Sequence, residues 1–137
     1  MVILRTLITT ILALSLANAA SAEPDALSVT FGNNSHTLDV PAMGRLDAFA
    51  QTLHNYKIAD SRILVDAYTD NVGSTAYNLR LSMRRALSVK TYLAVKHKVP
   101  LGGFVNRGLG EAAPVASNDT ADGRGKNRRV VISIVSS

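Results

Sequence analysis

The chain has 137 residues, 15 Lys and Arg against 10 Asp and Glu, a net charge of +5 and no cysteine. That length suits one domain with a real core. The missing cysteine excludes disulfides, thiol catalysis and Cys-ligated metal sites, and makes a lipid anchor through a cysteine unexpected. Only 5% of residues are aromatic and none interleave with the basic ones, so the positive charge does not point to nucleic acid.

In chain order, residues 1–22 read as a secretory signal. Met1–Arg5 carries one positive charge, Leu7–Leu16 is apolar, and small residues follow at Ala17, Ala19, Ala20 and Ala22. The apolar run is shorter than the ~20 residues that span a bilayer. Cleavage is expected after Ala22, with Ala19 as the competing site, so that residues 23–137 form a periplasmic domain. An uncleaved inner-membrane anchor is the alternative. No long run of alternating strands suggests a membrane barrel.

Leu27–Phe31 alternates apolar and polar residues, a half-buried strand, and Gly32–Ser35 is a turn. Met43, Leu46, Phe49, Ala50 and Leu53 recur at helical spacing behind Pro41, which predicts a helix from Ala42 to Tyr56. Ile63–Thr69 is the second strand, with Ile63, Val65 and Ala67 on one face and Leu64, Asp66 and Tyr68 on the other. A second helix is predicted from Ser74 to Lys98, stopping before Pro100. Phe104–Leu109 forms a third strand, residues 112–127 a long polar connection, and Arg129–Val135 the last strand. The order β-α-β-α-β-β predicts an α+β fold, a two-layer sandwich with two helices on one face of a mixed four-stranded sheet. The first helix is expected to make a right-handed crossover if the strands it joins are parallel.

Chemistry concentrates in Thr69–Arg85, TDNVGSTAYNLRLSMRR. Asp70 falls where an apolar strand ends, and Gly73 marks a turn. The following helix places Asn78, Leu81, Ser82 and Arg85 on one stripe. Arg85 therefore sits on or beside the core-facing side, where a guanidinium is costly unless paired or hydrogen-bonded. Brought together at this corner, a carboxylate and a guanidinium suit a ligand carrying both an ammonium and a carboxylate. They could equally neutralise each other as a structural ion pair. Asp70 is expected in a solvent-reachable position, Asn78 could donate its amide to a ligand carbonyl, and Thr69 could lend a hydroxyl.

The same segment, followed by GLGEAAP at Gly108–Pro114 and NRRV at Asn127–Val130, resembles the OmpA-like peptidoglycan-binding domain. That module occurs in OmpA-type outer-membrane proteins, peptidoglycan-associated lipoproteins and flagellar stator proteins. The resemblance runs roughly from Leu27 to Val135. It implies that Asp70 and Arg85 take the free ammonium and carboxylate of diaminopimelate in the peptidoglycan stem peptide, with Arg128 near the ligand carboxylate. An Arg fork can grip a carboxylate with two parallel bonds, and a carboxylate takes an ammonium by charge-assisted hydrogen bonds. It further implies a Gram-negative cell envelope, with the chain held against the wall and near the outer membrane. The chain departs from the family in two places. Ala67-Tyr68 stands where many members have Gly-His, and Gly32-Asn33-Asn34 stands where an Asp usually follows the first strand's aromatic.

Nothing in the residues suggests an enzyme, and no cofactor or metal is expected. His36, His54 and His97 are spaced too widely for a zinc site and are expected on the surface. No GxSxG serine occurs, and Gly108-Leu109-Gly110 lacks the rest of a nucleotide fingerprint. The expected function is non-catalytic, non-covalent tethering to peptidoglycan. The other end of the tether is left open between an outer-membrane or envelope protein and a second copy of the chain. The alternative is an envelope protein–protein assembly module, in which Asp70 and Arg85 form only a structural pair.

Overall fold

The computed structural model describes residues 26–53 and 60–136. The expected signal and the end of the first helix at Tyr56 lie outside them. In chain order come β1 (Leu27–Thr30), α1 (Val40–Leu53), β2 (Ser61–Ala67) and α2 (Thr75–His97). A 3₁₀ turn at Leu101–Gly103 leads to β3 (Phe104–Gly108), α3 (Ala121–Asn127) and β4 (Arg129–Ser136). The strands lie in the order β1-β4-β2-β3, with β2 and β3 parallel and β4 antiparallel to both its neighbours. β1 and β2 therefore run the same way with β4 inserted between them.

The alternation read from β2 holds: Ile63, Val65 and Ala67 are buried. They join Val130 and Ile132 of β4, Leu46 and Phe49 of α1, and Val89 and Leu93 of α2 in one apolar cluster. The opposite face carries an exposed Asp66–Arg107 pair with two 2.6 Å hydrogen bonds. Helix starts follow ordinary capping chemistry. Asp39 Oδ1 accepts from the Ala42 amide, Ser74 Oγ from Tyr77 and Thr120 Oγ1 from Gly123. α2 ends where Lys98 turns left-handed at φ 57° and its amide donates to the Leu93 carbonyl. Among the described residues, no helix is long and apolar enough to cross a membrane.

One element was not expected. The connection 112–127 contains α3, hidden in the sequence by Gly123 and Gly125, both poor helix formers. Its last residue, Asn127, is fully buried. The Asn127 side-chain oxygen accepts from the amides of Val115 and Ala116, and its nitrogen donates to the Ala116 carbonyl and Asn118 Oδ1. The connection is thus pinned to the start of β4 through Asn127, while most of residues 112–122 stay exposed.

A second correction concerns His97, expected on the surface. Its ring is mostly covered, and its Nε2 lies 2.7 Å from Asp47 Oδ1. Asp47 also accepts from the Tyr92 hydroxyl and Lys96 Nζ, which ties α1 to the last turns of α2.

α2 reaches β3 closely because Gly108 has no side chain. A Cβ there would lie 2.8 Å from the Met83 amide nitrogen and 2.9 Å from Ser82 Oγ. Ser82 Oγ accepts from the Gly110 amide and donates to the Leu79 carbonyl, fixing the helix against the strand end. That contact sets the height at which Asn78 and Arg85 enter the corner between β2, α2 and the segment after β1.

Candidate functional site

β2 ends at Ala67, and the amides of Tyr68 and Thr69 go on to donate to the Arg129 and Gly110 carbonyls before the chain turns after Asp70. Gly73, at φ 95°, makes that turn in a conformation side chains rarely adopt. Asp70 Oδ1 accepts from the Val72 amide at 3.0 Å, which holds the carboxylate inward across the turn. Ser74 then starts α2, and Asn78, Leu81, Ser82 and Arg85 all point inward as the stripe predicts.

Arg85 is 0% exposed. Its guanidinium donates from Nε to the Ser35 carbonyl (2.8 Å), from Nη1 to Tyr68 (3.0 Å) and from Nη2 to Gly32 (3.1 Å). Cζ also stands 5.3 Å from the centre of the Phe31 ring. A guanidinium carries five N–H groups, so one remains on each terminal nitrogen. Burial pushes its pKa down to about 10, Asp70's charge opposes the fall, and Arg128's adds to it. Arg85 is therefore still a cation at pH 7.

Asp70 is not solvent-reachable as expected; it is 5% exposed. Among the described residues, its ion-pair partner is Arg128, with Nη1 at 3.3 Å from Oδ2, and not Arg85. Arg128 Nε donates to the Phe31 carbonyl at 2.9 Å, which aims the side chain across the mouth of the corner. The structural Asp70–Arg85 pair of the alternative reading is thus absent. Both residues nevertheless line one cavity of about 260 Å³, together with Thr69, Asn78 and Arg128. All five residues singled out in the sequence border this space.

Their individual states differ. Thr69 Oγ1 is 2.8 Å from the Asp70 carbonyl oxygen and so donates locally. Asn78 is 1% exposed, and its Nδ2 lies 3.4 Å from Glu111 Oε2. Glu111 also accepts from Thr75 Oγ1 at 3.3 Å. Glu111 was legible only as part of the Gly108–Pro114 block; its contact with Asn78 joins positions 33 residues apart. Asn33 and Asn34, from the turn after β1, line the cavity, with Asn34 left-handed at φ 53°. Arg129 does not reach the corner. It packs 3.9 Å from the centre of the Tyr68 ring and donates to the Ala113 and Asn127 carbonyls.

The arrangement places two cations and one anion around a small space partly closed to water. Its walls supply spare guanidinium donors, a carboxylate and an amide. It has the polarity to hold one end of an amino acid, with its carboxylate toward Arg85 and Arg128 and its ammonium toward Asp70.

The model of a family described as the OmpA family matches residues 30–128. Over 75 residues the chain is 49% identical to outer membrane protein A of Bordetella avium, covering 55% of this chain and 38% of that one. It is 38% identical over 118 residues to the peptidoglycan-binding protein ArfA of Mycobacterium tuberculosis, covering 86% of this chain and 34% of ArfA. The crystal structure of the peptidoglycan-associated lipoprotein from Burkholderia pseudomallei superposes with a TM-score of 0.71 at 28% identity, covering 78% of this chain and 88% of that one. The chain spans about a third to two-thirds of the length of the curated relatives it matches.

Proposed function

The chain belongs to the OmpA family, and from that premise and the chemistry of its corner we propose that it binds peptidoglycan non-covalently in the cell envelope. The recognised group is the free amino-acid end of a diaminopimelate-type stem peptide. Asp70 takes its ammonium, and Arg85 takes its carboxylate with the two N–H groups left over from its backbone contacts. One observation carries this reading: a fully buried guanidinium, held by carbonyls alone, borders a cavity that also contains a carboxylate. The Asp70–Arg128 contact, at 3.3 Å, is longer than the ~2.7–2.9 Å of a strong charge-assisted bond. A ligand ammonium can displace it, freeing Arg128 to join Arg85 on the carboxylate. Asn78 donates its amide to a ligand carbonyl, and Thr69 stiffens the strand end.

The names of the relatives agree with this, one being a peptidoglycan-binding protein and another a peptidoglycan-associated lipoprotein. In this reading the corner supplies recognition and no reaction. A second reading, docking onto another envelope protein, is favoured by the exposed Leu79 and Met83, one turn apart on α2. Co-sedimentation with isolated peptidoglycan separates the two. The parent is expected in the pellet and Asp70→Ala in the supernatant, with both folded by circular dichroism. Equal pelleting of the two overturns the clamp and leaves the docking reading.

A further inference from the structure

The segment from Gly32 to Leu38 has two working sides. On one, the Gly32 and Ser35 carbonyls hold Arg85 at the corner. On the other, the His36 carbonyl accepts from Ser88 Oγ at 2.6 Å, and a groove of about 580 Å³ opens between the segment and α2. This groove has more than twice the volume of the corner. His36 and Leu38 form one wall, and Arg84, Leu87 and Tyr92 the other.

Two adjacent arginines serve the two spaces. Arg85 points into the corner, and Arg84, about 100° around the helix, lines the groove. Among the described residues no acid lines the groove, and α2 contains no Asp or Glu along its 23 residues. Arg84 makes no ion pair among the described residues. An incoming anion therefore meets an unopposed cation beside an apolar floor of Leu38, Leu87 and the Tyr92 ring. The two spaces share no lining residue, and the Gly32–Leu38 segment lies between them, so a peptide occupying both passes over that segment.

We propose that this groove is a second subsite for the same polymer, taking a carboxylate-bearing stretch of the stem peptide beyond the residue held at the corner. The inference rests on the stem-peptide reading of the corner. Arg84 grips the carboxylate while Leu87 and Tyr92 pack against the aliphatic part of the same peptide.

The test measures the full chain and its Arg84→Ala and Arg80→Ala variants against free diaminopimelate and against a soluble stem peptide. Arg80 is exposed on the same helix and outside the groove. Arg84→Ala is expected to bind diaminopimelate like the parent and the stem peptide roughly fivefold more weakly, the scale of an exposed charge pair. Arg80→Ala is expected to match the parent on both. Parent-like binding of the stem peptide by Arg84→Ala overturns the subsite and leaves the corner untouched. An equal loss in Arg80→Ala overturns it as well, since bulk charge then explains the effect. A parent that fails to bind diaminopimelate overturns the corner reading and this subsite with it.

Discussion

Arg85 does two jobs with one planar group. Its three bonds to Gly32, Ser35 and Tyr68 carbonyls pin the chain after β1 and the end of β2 to α2. Removing it orphans three acceptors and leaves a void beside Phe31. Arg85→Ala is accordingly expected to cost about 2–4 kcal/mol, lowering the melting temperature by roughly 10 °C or more. Differential scanning calorimetry measures this, and a parent-like melt contradicts the pinning role. Arg85→Lys keeps a cation but not the fork, so it is expected to melt between the parent and the alanine variant and to bind weakly. Loss of binding in Arg85→Ala therefore mixes recognition with folding, and Asp70 offers the cleaner probe. Asp70 is buried, yet its Oδ1 contact to the Val72 amide survives substitution by asparagine.

At the scale of elements, α1 and α2 are tied by Asp47, which accepts from His97, Tyr92 and Lys96. Those hydrogen bonds, His97's foremost, draw the Asp47 pKa from 3.8 down to about 2. A carboxylate with a depressed folded-state pKa stabilises the fold fully above its unfolded value and loses that contribution as pH falls through the folded value. Asp47→Asn is thus expected to melt below the parent at pH 7, with the gap closing between pH 4 and pH 2. A gap independent of pH contradicts the assignment. Gly108→Ala would drive a Cβ into the backbone at Met83 and force α2 away from β3. It is expected to destabilise the fold and weaken ligand binding together, read by melting and by co-sedimentation. The elements themselves were largely legible. The period-two strand at β2 and the 3.6-residue stripe on α2 encode burial directly, so Arg85's inward position could be read from its place between Leu81 and Val89. What could not be read depends on long-range partners. Asp70's pairing with Arg128 joins residues 58 apart, Asn78's with Glu111 spans 33, and α3 forms in a glycine-containing stretch because Asn127 and Thr120 hold it. Local periodicity carries no trace of such contacts.

For the whole molecule, a two-layer α+β fold gathers three distant stretches at one end of the sheet: the segment after β1, the β2–α2 turn and the α3–β4 junction. The corner exists only when β4 is inserted between β1 and β2, because that places Arg128 opposite Asp70. As a proposal, residues 1–22 direct the chain to the periplasm and are removed. Intact-mass analysis of the protein from a periplasmic extract is expected to show Glu23 as the first residue, whereas Met1 in a membrane fraction would make it an anchored protein. The central claim is that the corner recognises an amino-acid end through opposite charges. Calorimetric titration of free diaminopimelate into the parent and Asp70→Asn tests it most directly. Losing one charge-assisted bond is worth roughly 1.5–3 kcal/mol, or about 10- to 100-fold in affinity. The account predicts measurable binding by the parent and at least a tenfold loss in Asp70→Asn with the melting temperature little changed. Equal affinity in the two proteins would contradict it.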